Sequence, residues 1–193
     1  MADWTTLNYV VVDVEGNGQQ PPELVELAVV PIVNGVIGEP TTWLVRPEHP
    51  IKHFATRIHG LSTKDVAGAP QLAEVQDQVL AALGGGALVA HNAHVDVGVL
   101  TRQLKGWEPA EVFDTLKLAR RLVPGQPSYK LGALVQKYGL DEGPPDGLVP
   151  HRATYDALMA ARLFVRLATQ VAETPLSVRE LRGEAPDEPE ALF

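Results

Sequence analysis

The chain of 193 residues contains no cysteine, which excludes a disulfide framework and a thiolate zinc site. No apolar run approaches the roughly 20 residues that cross a bilayer. The first six residues also lack the basic start and apolar stretch of a targeting segment. We therefore expect a soluble protein of the reducing cytoplasm without membrane contact. Its apolar content of 45% is enough for one well-buried domain, which we place at residues 1–172.

Basic residues are scarce for a protein that coats nucleic acid, because 16 Lys and Arg stand against 24 Asp and Glu. The formal net charge of -8 disfavours tight, non-specific binding to long duplexes. Part of this acidity is concentrated in residues 173–193, which hold six acidic and two basic side chains. This segment is also rich in proline, so we expect a mostly disordered C-terminal tail.

The most informative feature is a pair of carboxylates at the end of an apolar strand, in the sequence Val-Val-Val-Asp13-Val-Glu15-Gly. Alternate side chains of a strand point to opposite faces, so Asp13 and Glu15 share one face. The opposite face of the strand carries Val10, Val12 and Val14. Two such carboxylates would repel each other and resist desolvation unless a divalent cation neutralised them. Taken alone, the pair is equally consistent with a turn after the strand.

Three further residues complete the candidate site: Asp96 in His-Asn-Ala-His-Val-Asp, and His151 and Asp156 in His-Arg-Ala-Thr-Tyr-Asp. On a regular helix, five residues rotate by about 500°, which would leave His151 and Asp156 roughly 140° apart. Pro150 disfavours helix just before it, so we place His151 on the incoming loop and Asp156 in the first turns of a helix. Singly, Asp96 would be read as a helix cap and His151 as a surface residue.

The remaining pattern predicts an α/β domain. Apolar runs at residues 9–14, 24–33 and 41–45 are separated by Gly, Pro and Asn, as three successive antiparallel strands would be, and Asn34-Gly35 is a plausible hairpin turn. After Pro70 the spacing of the apolar residues becomes helical. A short buried strand is predicted after this helix, at residues 87–90. Further helices are predicted at residues 95–104, 116–122, 131–138 and 153–168. This order predicts a mixed five-stranded sheet with helices on both faces.

From about residue 9 to residue 168, the chain resembles the DnaQ-like 3′-5′ exonucleases of the DEDDh type, in the ribonuclease H-like superfamily. It is similar in this to the proofreading subunit of bacterial replicative DNA polymerase. The three carboxylate motifs occur in the family's order, and three connecting motifs also match: Ile58-His59-Gly60-Leu61, Phe113-Asp114-Thr115-Leu116 and Ser128-Tyr129-Lys130-Leu131. Their order and spacing together are more specific than any one motif.

The resemblance implies a site with two divalent cations, Mg²⁺ or Mn²⁺, which suit oxygen-only ligands. Asp13, Glu15 and Asp156 would bind one ion, Asp13 would also reach the second, and Asp96 would act directly or through water. His151 would be the general base. The acidic excess outside residues 173–193 is four, equal to the number of proposed ligands, so two bound ions would leave that part about neutral.

Substrate contacts are expected from Gly16, His59 and Tyr129, although His59 and Tyr129 could equally be packing residues. Many relatives have Thr at the place of Gly16, and its absence removes a hydroxyl near the terminal nucleotide. Val95 stands where Phe is frequent. Relatives with a tyrosine base carry it four residues before the last aspartate, and Arg152 at that place indicates the histidine type.

We therefore expect a metal-dependent 3′-5′ exonuclease that acts on single-stranded or frayed ends, with DNA favoured over RNA. The alternatives are an RNA-trimming exoribonuclease of the same superfamily, distinguished by contacts to the 2′-hydroxyl, and a non-catalytic nucleic-acid-binding adaptor. The sequence closes on Leu192-Phe193, which resembles peptides that bind the bacterial sliding clamp but lacks their leading glutamine. A plain flexible tail is the other interpretation of this segment.

Overall fold

The computed structural model describes residues 3–143, 147–170 and 174–184. In this part of the chain the strands are β1 (Tyr9–Gly16), β2 (Leu24–Val33), β3 (Val36–Ile37), β4 (Thr41–Leu44), β5 (Ala87–Ala90) and β6 (Val112–Asp114). The helices are α1 (His53–His59), α2 (Leu72–Leu83), α3 (His94–Gln103), α4 (Thr115–Leu122), α5 (Leu131–Tyr138), α6 (Ala153–Gln170) and α7 (Val178–Arg182), and a 3-10 turn at Trp4–Thr6 precedes β1. No described helix combines the length and the hydrophobicity needed to cross a membrane.

The strands form one mixed sheet with the order β3-β2-β1-β5-β6. β2 pairs antiparallel with β1 along one edge. On its other edge β2 pairs antiparallel with both β3 and β4, which therefore share the third position of the sheet. β5 and β6 add in parallel on the far side of β1. The predicted mixed five-stranded sheet is confirmed, with one of its five positions split into two short strands.

Helices cover both faces of this sheet, as predicted. Tyr9 and Val11 of β1 pack on the face that carries α4, α5 and α6. Val10 and Val12 pack on the opposite face, where α2 and α3 supply the partners. The two-residue repeat of β1 therefore divides the valines between two cores, and the odd-numbered positions of the strand face α6.

Two local elements differ from or extend the sequence-based expectation. The Asn34-Gly35 hairpin is present, with φ of 50° and 77°, and it adds the short strand β3 that the apolar pattern did not indicate. Helix α1 was not predicted, because seven residues are too short to show helical periodicity. Its end is marked by Gly60 in the left-handed conformation, φ 79°, which only glycine adopts without strain.

The prediction of a disordered tail from residue 173 does not hold for residues 174–184. Leu176, Val178 and Leu181 are buried against the main core, and Trp4 N–H donates to the Leu176 carbonyl at 3.0 Å. Ser177 and Glu180 form a capping box at the start of α7. Composition averaged over the whole segment hid this short apolar and capped stretch. Residues 185–193, including the Leu192-Phe193 pair, lie outside the described residues.

Candidate active site

The end of β1 directs two carboxylates toward the start of α6. Asp13 and Glu15 continue the alternation of Tyr9 and Val11, whose side chains pack on the α6 face. Asp156 lies in the first turn of α6. Ligand oxygens of Asp13, Glu15 and Asp156 all lie within 4.8 Å of one another, and the three side chains are partly buried. The fold thus brings together residues that are 143 positions apart in the chain.

Asp96, the carboxylate of the second motif, lies in the first turn of α3 and is only 5% exposed. Its Oδ1 accepts a hydrogen bond from the Val14 N–H at 3.0 Å. Asp96 therefore contacts the end of β1 at the backbone position between Asp13 and Glu15. Among the described residues it is not part of the three-carboxylate group that lies within 4.8 Å.

His151 precedes α6, as expected from Pro150. It is exposed and has a φ of 63°, in the left-handed region that a residue with a β-carbon rarely adopts. His151 shares a cavity of about 500 Å³ with Asp13 and Asp156, and α5 and its preceding residue Lys130 also line it.

Burial and mutual repulsion disfavour the charged forms of these carboxylates. Desolvation, followed by the charges of Asp96, Glu15 and Asp156, raises the pKa of Asp13 well above its usual range. Desolvation and the charge of Asp156 raise the pKa of Glu15 to about 8. Desolvation also raises the pKa of Asp96 to about 7, although the hydrogen bond from Val14 acts against it.

Asp156 follows the same rule, since desolvation raises its pKa while His151 acts to lower it. Four carboxylates with raised pKa values at one place form an oxygen-only set that is destabilised by its own charge. A divalent cation reverses this preference, because it favours the ionised form of each ligand. The donor set therefore fits a hard divalent metal.

The three residues predicted to contact substrate occupy different environments. Gly16 ends β1. His59 is 3% exposed, its Nδ1 accepts from the Leu61 N–H at 3.1 Å, and its Nε2 lies 3.2 Å from the Gly16 carbonyl. Because Nδ1 is an acceptor, Nε2 carries the proton and donates to Gly16. The structure thus gives His59 a role in supporting Gly16.

Tyr129 is partly buried, and its hydroxyl is used within its own loop. The hydroxyl donates to the Val123 carbonyl at 3.1 Å and accepts from the Gln126 N–H at 3.2 Å. The Tyr129 carbonyl lies 3.0 Å from Nε2 of His91, a residue that lines the cavity. These contacts hold the Tyr129 loop together and connect it to the cavity wall through His91.

Glu26 is the residue of this region that sequence reasoning missed. It lies on β2, opposite Glu15 in the antiparallel register, and is 2% exposed. Its carboxylate accepts hydrogen bonds from the Arg152 side chain and from the Ala153 N–H. The available signal was a glutamate inside the apolar run Leu24-Val-Glu-Leu-Ala-Val-Val, because such a charge requires a buried partner.

A family model described as exonuclease matches residues 10–164. The chain belongs to this exonuclease family. It is 35% identical over 173 residues to exodeoxyribonuclease 10 of Escherichia coli (strain K12). The matched region covers 90% of this chain and 74% of that protein. It is also 31% identical over 182 residues to the 3′-5′ exonuclease DinG of Bacillus subtilis (strain 168), covering 90% of this chain but only 19% of DinG.

Solved structures of the exonuclease family agree with this assignment. Exonuclease X in complex with 5′ overhanging duplex DNA superposes with a TM-score of 0.73 at 33% identity, over 90% of this chain and 98% of that one. The nuclease domain of 3′hExo, a DEDDh family member bound to rAMP, shares the fold, with a TM-score of 0.68 at 23% identity over 83% of this chain and 90% of that one. The predicted family and the predicted enzyme class are confirmed: the protein is a 3′-5′ exonuclease, a hydrolase that acts on nucleic-acid ends.

Proposed function

We propose that this exonuclease hydrolyses the last phosphodiester bond at single-stranded or frayed 3′ ends of DNA and releases nucleoside 5′-monophosphates. The observation that carries the proposal is the grouping of Asp13, Glu15 and Asp156 within 4.8 Å, beside a cavity that Asp13, Asp156 and His151 line. DNA is favoured over RNA because the 35% identical relative is named an exodeoxyribonuclease and the 33% identical structure contains duplex DNA.

The proposed cofactors are two divalent cations, Mg²⁺ or Mn²⁺. Asp13, Glu15 and Asp156 would hold one ion, Asp13 would also reach the second, and Asp96 would contribute directly or through water. When bound, such a pair activates the attacking water and stabilises the leaving 3′-oxygen. Mg²⁺ commonly binds to a few carboxylates and to substrate phosphate, which suits a partly buried acidic group open to a cavity.

His151 is the proposed general base. Its imidazole is exposed at the cavity that contains Asp13 and Asp156, so in its neutral form it can take the proton of the water that attacks phosphorus. In this step the water oxygen bonds to phosphorus and the bond from phosphorus to the 3′-oxygen breaks. The leaving 3′-oxygen takes a proton from solvent, and His151 returns the proton it accepted to solvent. Lys130, which lines the same cavity, offers a positive charge to the phosphate.

Gly16 is the proposed place of closest approach to the terminal nucleotide. A β-carbon at Gly16 would lie 3.2 Å from the Pro22 β-carbon, so the residue is confined by the following loop. Hydrogen bonding from His59 fixes the carbonyl of the same residue. Both constraints hold the backbone directly after Glu15 in one position, where a 3′-terminal sugar could pack against it.

Release of mononucleotides from matched, 5′-labelled oligonucleotides tests the proposal. Single-stranded DNA, single-stranded RNA and a duplex with a 5′ overhang are each incubated with Mg²⁺, with Mn²⁺ or with chelator. We expect a metal-dependent ladder that shortens from the 3′ end, is fastest on DNA, and is lost in Asp13→Ala. Faster shortening of RNA would replace the substrate assignment, and no shortening by a folded protein with either metal would refute the proposed activity.

The segment that ends in Leu192-Phe193 is proposed to bind a bacterial sliding clamp. Support comes only from its sequence, Pro189-Glu190-Ala191-Leu192-Phe193, since these residues lie outside the described part of the chain. Co-elution of the purified protein with a purified sliding clamp tests this partner. Deletion of Leu192 and Phe193 should abolish co-elution, and equal behaviour of both forms would remove the proposal.

A further inference from the structure

The buried carboxylate of Glu26 is held by three donors. Arg152 Nε donates to Oε2 at 3.0 Å and Arg152 Nη2 donates to Oε1 at 2.5 Å, which is the two-pronged geometry that a guanidinium provides and an ammonium does not. The Ala153 N–H also donates to Oε2, at 3.0 Å. Both carboxylate oxygens of Glu26 are therefore hydrogen-bonded by residues at the start of α6, which lie 126 and 127 positions away in sequence.

These donors lie directly between the two functional residues of the third motif. Arg152 follows His151, whose left-handed φ of 63° must be enforced by its surroundings because a β-carbon disfavours it. The Arg152 carbonyl accepts the Asp156 N–H at 3.0 Å, which forms the first helical turn. Arg152 thus connects the backbone of His151, the proposed base, to the backbone of Asp156, the proposed metal ligand.

On the sheet, the residue that Arg152 contacts lies beside one of the proposed metal ligands. Glu26 is the cross-strand partner of Glu15, so both side chains project from the same face of the sheet. A second contact reinforces the first, since the hydroxyls of Thr42 on β4 and Thr154 on α6 lie 2.7 Å apart. The start of α6 is consequently attached to β2 and β4 beside the strand that carries Asp13 and Glu15.

We propose that Glu26 and Arg152 form a positioning pair that sets the base His151 and the carboxylate Asp156 against Asp13 and Glu15. The inference rests on the proposed function, in which His151 and Asp156 act in hydrolysis. Neither Glu26 nor Arg152 touches substrate in this role. The pair acts by fixing where the incoming loop and the first turn of α6 lie relative to the end of β1.

Arg152→Lys is the first variant, because it keeps the charge on Glu26 but cannot make two parallel hydrogen bonds. We expect kcat on a single-stranded DNA oligonucleotide to fall by about 10- to 100-fold, the size of effect that a small misplacement of a catalytic group produces. KM should change by less than about threefold, because the pair does not contact substrate. A native kcat in Arg152→Lys would overturn the proposal.

Arg182→Lys is the matched control. Arg182 makes the same two-pronged contact, from Nε to Glu111 Oε1 at 2.6 Å and from Nη2 to Glu111 Oε2 at 3.1 Å. That pair lies at the β6 edge of the sheet, away from the cavity lined by His151. We expect Arg182→Lys to retain native kcat and KM. An equal loss in both lysine variants would show a general effect of removing a guanidinium pair, and would overturn the specific role of Arg152.

The double variant Glu26→Leu/Arg152→Met separates positioning from stability. Replacing both members of a buried ion pair with apolar residues is often neutral for folding, whereas removal of one member leaves an uncompensated charge. We expect the double variant to melt near the native temperature and still to show the reduced kcat. If it has both native stability and native kcat, the pair is not a positioning device.

A readout without turnover is the imidazole NMR signal of His151, assigned by its loss in His151→Gln. In Arg152→Lys this signal should shift or broaden, while the signal of the exposed His94, which does not line this cavity, stays in place as an internal reference. Unchanged His151 signals would contradict the proposal. Native activity in His151→Gln and Asp13→Ala would instead refute the proposed function, so the two failures are distinguishable.

Discussion

Asp96 accepts a hydrogen bond from the backbone N–H of Val14, with 3.0 Å between Oδ1 and the nitrogen. Val14 lies between Asp13 and Glu15, so the second carboxylate motif holds the backbone of the first in place. Asp96 therefore has two separable properties, a hydrogen-bond acceptor that stabilises the end of β1 and a negative charge that contributes to the acidic site.

These two properties of Asp96 predict different stability effects for two variants. Asp96→Ala leaves the Val14 N–H without its acceptor and should reduce the free energy of unfolding by about 1–3 kcal/mol. Asp96→Asn keeps an acceptor oxygen and removes a desolvated charge, so the metal-free protein should be at least as stable as the native one at pH 8. Urea unfolding of the three proteins measures both values. Equal destabilisation by Ala and Asn would contradict the assigned hydrogen-bond role.

The raised carboxylate pKa values predict how stability changes with pH once divalent cations are removed by chelator. Glu15 and Asp96 bind protons more tightly when folded, with pKa values of about 8 and about 7, than in the unfolded chain. Their ionisation therefore opposes folding, and stability should fall as pH rises from 5 to 8. Allowing for partial exposure, we expect a loss of about 2–4 kcal/mol. Urea unfolding across this range tests it, and constant or rising stability would contradict the raised values.

Divalent cations should reverse this loss at pH 8. A ligand at 100 times its dissociation constant stabilises the folded state by about 2.7 kcal/mol, which corresponds to roughly 5–10 °C in Tm for a chain of this size. Thermal unfolding with Mn²⁺, with Mg²⁺ and with chelator measures the difference. Asp13→Asn should raise the Tm in chelator and show a much smaller response to either ion. A full response in Asp13→Asn would place the ions elsewhere.

Leu181 of α7 is 3% exposed and packs on the main core, so residues 174–184 should contribute to folding stability. Leu181→Ala should cost about 2–4 kcal/mol. Val33→Ala, at a side chain that is 48% exposed, should change stability by less than about 0.5 kcal/mol. Urea unfolding distinguishes the two variants, and Leu181→Ala should retain native kcat below its melting range. A negligible stability change in Leu181→Ala would show that α7 is not part of the domain.

The main architecture could be predicted because the sequence patterns that indicate it are local and extend over many residues. The alternation in β1 placed Asp13 and Glu15 on one face, and extended apolar patterns identified β2 and α6. Short elements were not predicted, for the converse reason. β3 has two residues and α1 has seven, so neither is long enough for a period to appear. The capping box at Ser177 was visible in the sequence but was masked by the acidic composition around it.

Contacts between distant residues could not be predicted in the same way. The run containing Glu26 shows that a charge is buried, but not that Arg152 neutralises it. The sequence of the first motif gives no indication that Val14 donates to Asp96. The spacing of the third motif placed His151 before a helix, yet its left-handed backbone depends on the contacts around it. Such features are determined by packing between elements and not by local pattern.

The positions of the clustered carboxylates along the chain also determine when each of them is made during synthesis. Asp13 and Glu15 emerge from the ribosome first, whereas Asp156 follows after 140 further residues and needs the rest of α6 to be anchored. Chains are made at about 5–20 residues per second, so this interval lasts for many seconds. Throughout it, the growing polypeptide carries only part of the acidic cluster. The acidic cluster of a nascent chain is therefore complete only when α6 has folded onto β1 and β2.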